Sequence, residues 1–143
     1  MQISKRSLVV AAAAALMLFA VPAAQAEMVK YKADLSGKAS VPPNDSAGKA
    51  TAEVTVDTDA KKISWTMKPE GLSADATAAH FHGPASETES APPVIDMSAN
   101  IMEGSAAITD AQLADLKAGK YYINVHTAKF PDGEIRGQVM AAK

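Results

Sequence analysis

From Lys49 to Val56 the chain alternates without a break: Ala50, Ala52, Val54 and Val56 fall on one parity, Lys49, Thr51, Glu53 and Thr55 on the other. A period of two marks a strand with one buried face, because a helix would scatter those residues around its axis. Lys62 to Lys68 repeats the pattern, with Ile63, Trp65 and Met67 set against Ser64, Thr66 and Lys68. The Asp57-Thr58-Asp59-Ala60 segment between the two runs reads as the turn of a hairpin. Trp65, the one tryptophan, is expected to anchor the core, since an aromatic at strand period fills a core more often than it stacks on a substrate.

The rest of the chain keeps the same rhythm. Met28 to Leu35 alternates through Val29, Tyr31, Ala33 and Leu35, and is closed by Gly37, Pro42-Pro43 and the turn residues Asn44-Asp45-Ser46. Pro69-Glu70-Gly71 breaks the pattern before the small-residue stretch Ala74 to Ala79 leads into His80-Phe81-His82, which Gly83-Pro84 ends. Ser86 to Pro93 has no period and reads as an exposed loop, Val94 to Met97 as a short strand, and Met102 to Ser105 as a further connection. One helix is expected over 110–118: Thr109 and Gln112 form a capping box, Ile108 and Leu113 a hydrophobic staple, and Gly119 suits the left-handed C-terminal position. Lys120 to Thr127 and Glu134 to Met140, joined by Pro131-Asp132-Gly133, form a C-terminal hairpin. About six to eight short strands with one helix and no βαβ alternation predict an all-β fold, an antiparallel sandwich or a Greek-key barrel.

Residues 1–26 carry the marks of a signal peptide: Lys5 and Arg6, then an apolar run from Leu8 to Val21, then Ala24-Gln25-Ala26 as a small-x-small cleavage site. Export to a periplasm or beyond is therefore expected, with residues 27–143 as one domain and no membrane association once the leader is removed. Without Lys5 and Arg6, the 14 basic residues fall to 12 against 16 acidic ones, a formal charge near −4. That balance disfavours nucleic acid and anionic membrane surfaces as partners. Cysteine is absent, which excludes disulfides, thiolate nucleophiles and iron–sulfur clusters.

All three histidines fall in two segments, His80-Phe81-His82 and Asn124-Val125-His126-Thr127. Residues i and i+2 of a strand lie about 7 Å apart on one face, so His80 and His82 can converge on one ion while Phe81 points the other way, into the core. The third ligand has to come from a neighbouring strand, and His126 supplies it. Imidazole nitrogen together with an exported address suits copper, with zinc as the alternative. Met97 and Met102 are further candidate ligands as soft thioethers, and Asp132 and Glu134 could complete a site from the adjacent turn. Arg136, the one arginine after the leader, could attract an anion but is expected to pair with Glu134 or Asp132.

The blocks Ala79-His80-Phe81-His82-Gly83-Pro84-Ala85, Tyr122-Ile123-Asn124-Val125-His126-Thr127 and Phe130-Pro131-Asp132-Gly133-Glu134-Ile135-Arg136-Gly137-Gln138 resemble the CHRD domain. This module was first described in chordin and also occurs in exported bacterial proteins. The resemblance spans about Tyr31 to Met140 and implies an all-β domain of a little over a hundred residues, with no general biochemical role attached. The His-x-His strand with a distant third histidine is also similar to the copper site of the Cu/Zn superoxide dismutase sandwich. A bridging fourth histidine, a cysteine pair and a zinc cluster are all missing, so only a mononuclear three-histidine site matches. Three readings follow: a copper-type binding protein, a metal-free module that binds a protein partner, and a copper redox enzyme. For the last, the sequence offers no evident proton donor or substrate channel.

Overall fold

The alternating runs fold into antiparallel strands of one continuous sheet. In the computed structural model, which describes residues 14–22 and 25–143, these are β1 (Met28–Ser36), β2 (Lys49–Asp57), β3 (Lys62–Met67), β4 (Ala76–His82), β5 (Pro93–Asp96), β6 (Glu103–Ala107), β7 (Tyr122–Thr127), β8 (Ile135–Gln138) and β9 (Met140–Ala141). The single described helix, α1 (Asp110–Lys117), lies between β6 and β7. The strand order is β5-β4-β7-β8-β1-β2-β3-β6, with β9 also on β1, and the sheet curls into a nearly closed, barrel-like wall. Residues 1–13 and 23–24 of the expected leader, including its basic start and the first residue of its cleavage motif, lie outside the described residues. Among the described residues no helix is long and apolar enough to cross a membrane.

The β1–β2–β3 meander puts each predicted apolar parity inside. Ala52, Val54, Val56, Ile63, Trp65 and Met67 are buried, and Val54 stands opposite Trp65 in register. Trp65 and Phe81 meet edge to face in the interior, with ring centroids 5.7 Å apart, and so tie β3 to β4 across the core. The capping box forms as expected: Gln112 N–H donates to Thr109 Oγ1 at 3.1 Å, and Thr109 N–H donates to Gln112 Oε1 at 3.0 Å. Ile108, Leu113 and Leu116 are buried, and Gly119 takes φ 71°.

Two segments differ from the sequence expectation. Glu103 to Ser105 of the expected connection belong to a strand, since β6 pairs with β3 from Thr66↔Glu103 to Lys62↔Ala107. Its residues, Glu-Gly-Ser-Ala-Ala, carry almost no β-propensity or alternation, so tertiary pairing decides their conformation. Gly104 is where the Trp65 indole presses on the backbone: a Cβ there would sit 2.5 Å from Trp65 Cζ2. The C-terminal run is interrupted at Val139, whose N–H donates to Tyr121 O at 2.9 Å, before β9 pairs with β1.

Candidate metal centre

The site lies on the outward face of β4, β7 and β8. Register places His82 beside Tyr122 and Tyr122 beside Gln138; the next row is His80, Asn124 and Arg136. Ala78 stands opposite His126, which puts His126 diagonally across from His80. Phe81 and Ile123, paired between the two rows, point inward and are fully buried. Packing of Phe81 therefore fixes the backbone that holds the two flanking imidazoles outward.

The three predicted histidines come together, with one ring nitrogen of each within 4.8 Å of the others. His82 Nδ1 lies 2.9 Å from Ala91 O and His126 Nδ1 lies 2.8 Å from Pro131 O. A carbonyl oxygen only accepts, so both rings carry their proton on Nδ1 and leave Nε2 as a bare lone pair. Backbone acceptors of this kind orient metal-bound histidines. His82 Nε2 is buried and has no hydrogen-bond partner. His80 Nδ1 and His126 Nε2 are 3.3 Å apart. Metal–imidazole bonds of about 2.0–2.1 Å in a tetrahedron set donor atoms about 3.3 Å apart, so this pair already has the spacing of two ligands. The tautomer that bares His80 Nδ1 puts its proton on Nε2, which faces Asp96 Oδ1 at 3.7 Å. The donor set thus fits one divalent or monovalent ion with a fourth position open.

The surroundings of His80 and His82 favour their neutral forms. Burial lowers the pKa of His80, and neighbouring His126 lowers it further against a smaller opposing pull from Asp96. Burial also lowers that of His82; the Ala91 hydrogen bond works against this, while His80, His126 and Arg136 add to it. Tyr122 stacks on His82 with centroids 4.9 Å apart and planes 9° from parallel. The Arg136 guanidinium covers the other face of Tyr122, 3.5 Å from its centroid. The Tyr122 hydroxyl donates to Ala91 O and accepts from Ala91 N–H, both at 3.1 Å, which pins the carbonyl that orients His82. A cavity of about 650 Å³ opens beside these groups, lined in part by His82, Tyr122, Asn124, His126, Pro131 and Arg136.

The other candidates take different places. Met97 is buried in the core and Met102 is exposed, its carbonyl accepting from Met67 N–H on β3. Asp132 is exposed at the turn. Glu134 is fully buried and accepts from Ser46 Oγ, Ser73 N–H, Ser73 Oγ and Thr127 Oγ1 at 2.6–2.8 Å. Arg136 does not pair with Glu134 or Asp132; it donates to Ser86 O at 2.8 Å and stacks on Tyr122 instead, while the Glu134 carboxylate is taken up by Ser46, Ser73 and Thr127. The expected Ser86–Pro93 loop is exposed over 86–90 but turns inward at Ala91. Sequence reasoning passed over Tyr122 and Asp96. Tyr122 shares the parity of His126, which was a usable signal; the carbonyls of Ala91 and Pro131 left none.

An all-β, barrel-like domain with a surface cluster of three histidines is the class this chain defines. It belongs to the CHRD domain family, whose model matches residues 31–139. No curated protein and no solved structure matched the chain.

Proposed function

We propose that this CHRD domain is an exported binding protein that holds a single copper-type ion through His80, His82 and His126. The observation that carries the reading is His82 Nε2: a buried lone pair without a partner, on a ring whose other nitrogen is locked to Ala91 O. A buried acceptor left open is costly unless something fills it, and a cation bound by two further imidazoles does so. Imidazole suits both copper and zinc; copper is favoured because a given nitrogen site binds it more tightly than zinc, and the exported address suggested by Lys5, Arg6, Leu8 to Val21 and Ala24-Gln25-Ala26 is compatible with it. Calorimetric titration of residues 27–143 with copper and zinc salts tests this. One ion per chain is expected, lost in His80→Ala with His126→Ala; binding that survives the double substitution overturns the assignment.

A metal-free interaction module is the second reading, favoured by the 3.3 Å contact through which His80 Nδ1–H can donate to His126 Nε2 and close the pair by itself. Thermal melts with and without a chelator separate the two. A bound ion raises the melting temperature by mass action, and chelation then lowers it.

A further inference from the structure

We propose that Arg136 biases the three-histidine site toward monovalent copper and against divalent ions. The inference rests on the metal-binding reading above and concerns which ion that site keeps. Arg136 is 3% exposed, and its guanidinium lies flat on Tyr122, which lies flat on His82. Its recorded hydrogen bond goes to the neutral Ser86 O, not to a carboxylate. A guanidinium stays charged in proteins, so a fixed positive charge stands one aromatic ring away from a metal ligand.

The surrounding charges do not cancel it. His82 and His126 are oriented by the carbonyls of Ala91 and Pro131, where a carboxylate would have added negative charge to the ligand shell. Asp96 faces His80 and Glu87 lies near Arg136, but both are exposed and screened by water. Lys129 and Asp132 both line the cavity, are exposed and opposite in sign, and so leave the buried Arg136 as the dominant fixed charge. Bringing a second positive charge onto the ion therefore costs more here than in an isolated three-imidazole site. A unit charge one ring away, at an effective dielectric of about 20, changes a cation's binding constant by about tenfold or more per unit of ionic charge.

The test compares Cu(I), held reduced by ascorbate, with Zn(II) and Cu(II) by chelator competition on residues 27–143, together with the reduction potential of the copper-loaded protein. Arg136→Met is expected to strengthen divalent binding relative to Cu(I) about tenfold, which lowers the potential by about 59 mV. Arg136→Lys, which keeps the charge, restores most of the difference. Should Arg136→Met fail to fold, Arg136→Gln, which keeps a planar hydrogen-bonding head without the charge, is expected to shift the ratio the same way. Equal changes for Cu(I) and Zn(II), or no shift in potential, overturn the role of Arg136 while leaving the metal site standing. Failure of the unsubstituted domain to bind any of the three ions removes the metal site itself and this inference with it.

Discussion

Two polar clusters meet along β7, the histidines on its outward face and Glu134 at its Thr127 end, and they are finished in opposite ways. Around Glu134 every carboxylate lone pair in play meets a donor: Ser46, Ser73 twice and Thr127 close a complete ring of hydrogen bonds about a fully buried charge. Its backbone carbonyl also receives Asn44 Nδ2–H at 2.9 Å and Ser40 Oγ–H at 3.3 Å, so the cluster clamps the loop after β1 onto β8. The histidine cluster holds His82 and His126 just as firmly by their Nδ1 atoms, yet leaves His82 Nε2 open and two further nitrogens, His80 Nδ1 and His126 Nε2, at ligand spacing. Satisfaction reads as structure; a lone pair held in place and left unfilled reads as readiness for a ligand.

That contrast can be broken at either cluster. The largest effect is expected from His82→Ala, which removes the anchored donor: stoichiometric metal binding is lost in calorimetry while the melting temperature of the chelated protein changes little. Conversely, Glu134→Ala strands three hydroxyls and a backbone N–H, and is expected to destabilise by about 3 kcal/mol or more in urea titration. Metal affinity in the fraction that remains folded stays near that of the unsubstituted domain. If the two substitutions exchange these phenotypes, the division between a structural and a binding cluster fails.

Acid separates the clusters further. Burial alone pushes the Glu134 carboxyl up, but hydrogen bonds from Ser46, Thr127 and Ser73 outweigh it and hold the group down at about 2. A depressed carboxylate contributes stability that is present above its ordinary value of 4.5 and is lost as pH falls toward 2. His80 and His82 are also lowered, so the unfolded chain takes up their protons first, and the metal-free domain loses stability as pH falls below 6.5. Stability measured against pH is expected to decline in both windows, with Glu134→Gln removing the lower decline and leaving the upper one. Metal retention should persist somewhat below pH 6.5, because protons compete less well for lowered imidazoles.

A smaller effect is expected where the two clusters share a loop. Gly133 has φ 123°, and a Cβ there would sit 2.2 Å from Asn124 Oδ1. Gly133→Ala should displace the turn that carries Pro131 O, weakening metal binding about tenfold through the misoriented His126. A melting curve that falls without any change in affinity would place Gly133 with the structural cluster instead.

Much of this architecture was legible in the residues. Alternation gave the β1–β2–β3 meander and its inward Trp65, the capping box gave α1, and His-x-His gave two imidazoles on one outward face. The strand β6 was not legible, because Glu-Gly-Ser-Ala-Ala has no period and is held by pairing with β3. The pairing expected for Arg136 from opposite charges close in sequence does not form, because Ser46, Ser73 and Thr127 enclose Glu134, just before β8, while Tyr122 and Ser86 O hold Arg136, within it.

The chain alone therefore determined that its three histidines would ride on strands and that Phe81 would face inward, since side-chain direction in a strand follows from local geometry. Only the tertiary structure decided that β7 lies beside β4 in the register that brings His126 to His80. It alone set the carbonyls of Ala91 and Pro131 on the Nδ1 atoms and laid Arg136 and Tyr122 over His82. Those contacts join residues distant in sequence, many through backbone atoms that every residue carries, and so have no signature in the order of side chains.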